Sequence, residues 1–436
     1  MEGKIIVVGA NQGALAFAYM ACKKGFDVSV FEKKKREDVS YIWTDDFSST
    51  AFSDAGLPSP PPELLKRTRK LTFVAPSGAL IPVNQPEKSL DYCVKRRELN
   101  AWLEKEAVGA GAKIYYEKAV KCALVENKKV CGAVFENGKT ERCSLLVDCG
   151  GIDSCVRKSL PSDFGIQKEV ESENFFIVSR RLFSRAPGSD FPKNPKKIYL
   201  KHLGEAGISW CVLTQDEQHA DVLIGRIGKL SSETAERALS DLKNDNPIIG
   251  EGFLPGSGGV FKIPVRCTFS KIFAPGYALL GDSACMTIPM IGSGIASGFK
   301  SAKNLAETLC SCSSDPFSPE NLYCYQLRYM KETGAFHAAI GLIKNALLEI
   351  DTETVNKIID SGIMRAIVLS SEGESGNVSK AVLSLAKANP KIFVGILKLA
   401  ASAARASLVC LTAPKNYNEK SLEKWRQAYE KACGLN

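Results

Sequence analysis

Histidine is scarce. His202, His219 and His337 are the only three in 436 residues, and their positions suit neither a catalytic triad nor a metal site. No CxxC occurs, which excludes a zinc ribbon and a ferredoxin-type cluster. Cys310 and Cys312 form a lone CxC, read as two surface thiols. No run of about 18 uncharged apolar residues is present, so no transmembrane helix is expected. The nearest stretch, Ile392 to Ala413, carries Lys398 and Arg405. No basic segment is interleaved with aromatics, so nucleic acid is not an expected partner. No signal peptide is read either: the first apolar run, Ile5 to Val8, is stopped by Gly9 and reads as a strand.

Cysteine, by contrast, is plentiful, with 15 in the chain. So many thiols without a disulfide framework suit a reducing cytosol, and each reads as a small buried hydrophobe. Hydrophobic residues make up 45% and charged residues 24%, as in an ordinary globular protein of more than one domain. The net charge of +9 is a mild excess that fits weak attraction to anionic membranes or acidic partners. The expected location is cytoplasmic, with peripheral contact at the inner face of a membrane left open.

The N-terminus carries the first chemistry. Lys4-Ile5-Ile6-Val7-Val8 is a β-branched run of the kind that forms a buried parallel strand. Gly9-Ala10-Asn11-Gln12-Gly13-Ala14 follows, then a helical segment closed by Gly25. A second strand, Asp27 to Glu32, ends on an acid followed by Lys33. This is the layout of a dinucleotide site. Free N–H groups at a helix start bind pyrophosphate, small residues allow close approach, and the acid accepts from ribose hydroxyls. Glu32 also argues against a 2′-phosphate, because two like charges would meet. The usual second glycine is replaced by Asn11, read as keeping the turn through a left-handed backbone while its side chain occupies space near the pyrophosphate. An ordinary βαβ unit without nucleotide is the bland alternative.

Gly276 to Leu280 reads as a further strand running into Gly281-Asp282-Ser283-Ala284, then Pro289-Met290-Ile291-Gly292-Ser293-Gly294-Ile295 and a helix to about Leu309. This stretch closely resembles the GD motif of the para-hydroxybenzoate hydroxylase-like flavoproteins, and within them it is most similar to the geranylgeranyl reductase branch. Two further blocks support the resemblance. Tyr92 to Asn100 resembles the family's V-D-R-x-x-F-D helix start, and Leu145 to Arg157 resembles A-D-G-x-x-S-x-V-R.

The resemblance implies an α/β protein with a Rossmann-type FAD-binding domain (GR2-like), an inserted, mainly antiparallel β domain for substrate, and a helical C-terminal region. It implies FAD held by Gly9, Ala10, Asn11, Gly13, Ala14, Glu32 and Lys33 at the adenosine and pyrophosphate end, with Val120 at adenine. Arg96 falls on the family's cofactor arginine, with Arg97 as a register alternative. Gly281 and Asp282 would meet the ribityl chain, and Gly292, Gly294 and Ile295 would aim a helix N-terminus at the flavin pyrimidine ring. The family's DG aspartate is Gly150 here, which counts against nicotinamide-driven hydroxylation. The reductase branch's substrate motif keeps only Trp210. Trp43, Asp46, Trp210 and Pro289 are the candidates for the substrate cavity, although Asp45 and Asp46 also read as a helix N-cap and first turn. No residue is assigned as the catalytic acid, and no metal is expected.

The domains read as residues 1–157 (FAD, first part), 158–265 (substrate sheet), 266–310 (FAD, second part) and 311–436 (helical). No second dinucleotide fingerprint follows. Gly250-Glu251-Gly252 and Gly256 to Gly259 read as loops. Electrons are therefore expected from a transient donor, NAD(P)H or a ferredoxin-type protein. The expected reaction is reduction of carbon–carbon double bonds in a hydrophobic, isoprenoid-like small molecule. A flavin monooxygenase or halogenase is the alternative, and a non-catalytic flavin- or lipid-binding protein is a third. In the C-terminal region Lys391, Lys398 and Arg405 recur every seven residues beside a wide apolar face. That pattern reads as a core-packed helix with a solvent-facing stripe, or else as an interfacial helix.

Overall fold

The computed structural model describes residues 3–83, 86–87, 90–311, 315–362 and 378–435. The first strand, β1 (Lys4–Val8), is buried from Ile5 onward. Helix α1 (Gln12–Lys23) and strand β2 (Asp27–Phe31) follow. β1 pairs in parallel with β2 and with Leu145–Asp148. The full six-stranded sheet runs Phe273–Ala274, Tyr277–Leu279, Leu145–Asp148, β1, β2, Lys113–Tyr115. Only the short Phe273–Ala274 edge is antiparallel. Covered on both sides, such a sheet takes near-continuous apolar strands, as Ile5–Val8 and Leu145–Val147 are. The expected α/β architecture with a Rossmann-type sheet is present.

Strand order places the site. The chain leaves β1 at its carboxyl end, turns at Gly9 and enters α1; the Tyr277–Leu279 strand ends beside it and enters the GD segment. In open α/β sheets ligands sit outside these carboxyl ends. Helix Ile295–Cys310 packs on α1 so closely that Gly298 Cα lies 3.7 Å from where a Gly13 Cβ would stand. A Cβ at either glycine would just touch the facing backbone, so a side chain longer than alanine would have to displace the other helix.

The second sheet has eight strands. Its path is Ile249–Phe253, Phe175–Arg185, His219–Ile227, Gly207–Leu213, Lys196–Leu200, Leu71–Val74, Leu80–Pro82, with Gly259–Pro264 paired to Phe175–Arg185. All pairings are antiparallel except Lys196–Leu200 with Leu71–Val74. Two of its strands thus come from before residue 158. Gly250-Glu251-Gly252 lies within the Ile249–Phe253 strand, not in a loop. From residue 295 on, the described residues form helices and no strand, as expected of a helical C-terminal region.

Cys310 is exposed, and Cys312 lies outside the described residues. Helix Pro390–Leu411 is not core-packed. It buries only Ala403, Ala406 and Cys410, and 11% of its most apolar window is inside the protein. It is also long and apolar enough, at a mean hydropathy of 1.7, to meet the composition of a membrane span.

Candidate functional site

The adenosine end is built on the first turn. Gly9 sits at φ +94°, and a Cβ there would meet the Cys149 carbonyl at 2.8 Å, so only glycine fits. Asn11 does not adopt the left-handed backbone expected of it. Its φ is −79° and ψ 173°, and its side-chain oxygen accepts from the Ala14 N–H at 3.1 Å. Its amide donates to the Cys149 carbonyl at 2.7 Å. Asn11 therefore caps α1 and occupies one of the N–H groups a pyrophosphate would use. Glu32 is buried, and one of its oxygens accepts from the Ala10 N–H at 2.9 Å, the other from Lys34 N–H at 2.9 Å. Lys33 is exposed beside it. Val120 opens a strand, and its carbonyl accepts from Cys155 Sγ at 3.1 Å.

At the other end Asp282 is exposed, and its Oδ1 accepts from Thr287 Oγ1 at 2.7 Å. Gly281 sits at φ +74° with open space around it. A Cβ at Gly294 would lie 3.4 Å from that same Asp282 oxygen, so the start of helix Ile295–Cys310 faces the GD loop. This helix has Gly294 at its N-cap and no side-chain cap. Its first N–H groups are left for a ligand, with the positive end of the helix dipole behind them. Pro289 is buried under Gly341, whose Cβ position lies 3.8 Å away.

Between the two ends stands Arg96, the better of the two candidate arginines, since Arg97 is exposed. Arg96 Nη1 donates to Asp45 at 3.0 Å and its Nε to Gln12 Oε1 at 3.4 Å. Gln12 is buried and held in turn by Asn100 and Ser40. Asp45 and Asp46 form no helix cap; they lie in strand Thr44–Phe47, paired with Tyr92–Lys95. The Asp46 carboxylate is taken by Lys196 at 2.5 Å and Thr68 at 2.6 Å. Burial pushes its pKa up, but Lys196 and these hydrogen bonds outweigh that and hold it below the usual range.

Trp43 and Trp210, both candidates for the substrate cavity, come together on the facing side around Arg180, which the sequence did not single out. Arg180 is buried between the rings of Trp43, at 4.6 Å, and Trp210, at 5.1 Å. It donates to Asp221 through Nε at 2.9 Å and Nη2 at 2.5 Å, and to Asp45 through Nη1 at 3.1 Å. Burial opposes its charge, and Asp221 and Asp45 more than offset that. Tyr41 stacks on Trp43 at 4.2 Å, with Phe261 edge-on to both. Burial, together with the carboxylates of Asp282 and Asp45, raises the Tyr41 phenol against the pull of Arg96. Trp43 Nε1 is buried with no hydrogen-bond partner among the described residues. A donor left so costs about 1–3 kcal/mol unless a ligand acceptor meets it. The two tryptophans were legible as cavity candidates, but nothing in strand Phe175–Arg185, which also carries Arg181 and Arg185, set Arg180 apart.

Gly150 stands where an aspartate was expected, but a carboxylate is close by. Asp148 is fully buried and accepts from Ser154 Oγ at 2.5 Å, Tyr277 OH at 2.6 Å and Gly150 N–H at 2.8 Å. Burial raises its pKa against these bonds. Buried Arg157 ties this segment to the GD loop by donating to the Ser283 carbonyl at 2.7 Å.

The residues present fit FAD. There is an acid at the ribose position, a glycine-lined turn, an uncapped helix start and an unmet indole donor between them. The rim beside the Pro289 turn is apolar. Ile291 is 60% exposed, and Ile263, on strand Gly259–Pro264, lies 3.3 Å from a Gly292 Cβ position.

No family model matches the chain. It is 24% identical over 381 residues, 83% of this chain and 95% of the relative, to digeranylgeranylglycerophospholipid reductase 1 of Methanopyrus kandleri. Among solved structures it is similar to a geranylgeranyl bacteriochlorophyll reductase-like protein from Thermoplasma acidophilum. That match has a TM-score of 0.74 and 19% identity, and covers 91% of this chain and 99% of the other. A myxobacterial FAD-dependent halogenase shares the fold at a TM-score of 0.62 and 14% identity, over 98% of this chain and 96% of that one. The resemblance carried by the GD motif thus extends over most of the chain, which is similar in sequence and in fold to the geranylgeranyl reductase-like flavoproteins.

Proposed function

We propose that the chain is an FAD-dependent oxidoreductase that reduces carbon–carbon double bonds of a hydrophobic isoprenoid lipid. The observation that carries this reading is the similarity, over 83% of this chain, to a relative named for reducing such a lipid. When bound, reduced FAD supplies a hydride from N5 to one alkene carbon, while an acid or water supplies the proton to the other. NAD(P)H or a ferredoxin-type protein is the proposed electron donor. The proposed setting is cytoplasmic, with peripheral contact at a membrane.

In this reading Glu32, oriented by the Ala10 and Lys34 N–H groups, accepts from the ribose hydroxyls with its remaining lone pairs. Asp282, fixed by Thr287, holds the ribityl chain. The start of helix Ile295–Cys310 stabilises negative charge at the pyrimidine end. Tyr41, Trp43, Phe261 and Trp210 form an apolar wall that excludes water, and Ile291 and Ile263 form the entrance for an apolar chain.

A monooxygenase or halogenase is the second reading, favoured by the fold shared with the halogenase. Gly150, in place of the superfamily's aspartate, speaks against it. Heat-denatured protein should release FAD, and loaded protein with a reductant should saturate an unsaturated isoprenoid glycerophospholipid without oxygen. Recovery of FMN, or of no flavin after reconstitution, would end this reading.

A further inference from the structure

Helix Pro390–Leu411 carries two stripes that face away from the protein. Val394, Leu397, Ala401, Ala404, Leu408 and Leu411 follow at alternating three- and four-residue steps, so they share one face. All six are exposed, Leu397 at 52% and Leu408 at 58%. Lys391, Lys398 and Arg405 recur every seven residues and are exposed as well. Lys398 follows Val394, and Arg405 follows Ala401, by four residues, so the cations flank the apolar stripe along the helix. The helix contains no acidic residue.

The opposite face is pinned to the body. Ala403, Ala406 and Cys410 are buried, Ser407 Oγ donates to the Ala335 carbonyl at 2.7 Å, and Trp425 Nε1 donates to the Val409 carbonyl at 2.8 Å. The helix therefore lies along the protein for about 33 Å at 1.5 Å per residue, and does not stand free to cross a bilayer. Phe336 and Leu383, each 55% exposed, lie on neighbouring helices.

We propose that this face docks the protein on an anionic lipid bilayer, with the leucines and valine in the acyl boundary and the cations on the headgroups. Apolar area and basic charge side by side on one helix are what an interfacial helix needs. The charge also decides against a second copy of the chain. A symmetric pairing of this face would bring six cations together with no acid on either helix to neutralise them. The proposal does not depend on the reaction, and its test reads binding alone.

The test uses full-length, FAD-loaded protein floated with vesicles of phosphatidylglycerol and phosphatidylcholine, or of phosphatidylcholine alone. Wild type should float with the anionic vesicles at low salt and far less with neutral ones. The variant K391E/K398E/R405E should bind the anionic vesicles roughly 100-fold more weakly, about fivefold for each cation. The variant L397D/L408D should lose binding at any salt. Unchanged FAD content and melting temperature confirm that both variants are folded. Wild type that ignores anionic vesicles, binds neutral ones equally well, or is matched by both variants would overturn the proposal. So would light scattering that shows a dimer split by L397D/L408D without vesicle binding.

Discussion

Arg180 reaches from the large sheet to Asp45 on strand Thr44–Phe47, at 3.1 Å, while its other nitrogens hold Asp221. Both partners of the Arg180–Asp221 pair are buried, so removing one strands the other. Arg180→Met should destabilise the protein by about 3–5 kcal/mol, because Asp221 is left charged and unpaired. Arg180→Met with Asp221→Leu should recover much of that loss. Urea unfolding of the two variants checks it. A single variant as stable as wild type would mean that the pair contributes nothing.

Asn11 spends its side chain on the α1 cap. Asn11→Gly should release the Ala14 N–H and tighten FAD binding, by up to about tenfold for one charge-assisted hydrogen bond. The cost in apo-protein stability should be only a few tenths of a kcal/mol, because glycine is an acceptable N-cap. Titration of the apo-protein with FAD measures it. Weaker binding would show that the asparagine is itself a ligand contact.

Glu32→Ala and Asp282→Ala should each weaken FAD binding by about 1–3 kcal/mol, the scale of a hydrogen bond to a charged group. Of the two, Glu32→Ala should also lower apo-protein stability, because the Ala10 and Lys34 N–H groups lose their acceptor. Unchanged affinity in both would refute the assigned roles.

How far the sequence leads depends on how local each contact is. The β1–α1–β2 unit was legible because a buried parallel strand must be a continuous apolar run, and Glu32 meets Ala10 through that unit alone. Arg180 was not legible, because its partners Asp221 and Asp45 lie 41 and 135 residues away. Asp45 and Asp46 read as a helix start because their strand exists only through pairing with Tyr92–Lys95. Helix Pro390–Leu411 left two readings open for another reason: a wide apolar face has the same pattern whether it meets a core or a membrane.

His337 is 1% exposed, and burial lowers its pKa to about 4 from 6.5. The unfolded chain therefore binds the proton first, so stability is fully present above pH 6.5 and is lost as pH falls toward 4. Between pH 7.5 and 5 this histidine should cost about 2 kcal/mol, at 1.36 kcal/mol per pH unit below 6.5. His337→Gln should remove that part of the pH dependence. Denaturant unfolding at the two pH values tests it, and an equal slope in wild type and variant would contradict it.

The most direct test of the account is a single turnover. FAD-loaded protein is reduced with dithionite under strict anaerobiosis, excess reductant is removed, and an unsaturated isoprenoid glycerophospholipid is added while the flavin spectrum is followed. Oxidised flavin should return without oxygen, and the lipid should gain two hydrogens per double bond. Flavin that stays reduced until oxygen is admitted, then gives a long-lived hydroperoxide and an oxygenated product, would contradict it.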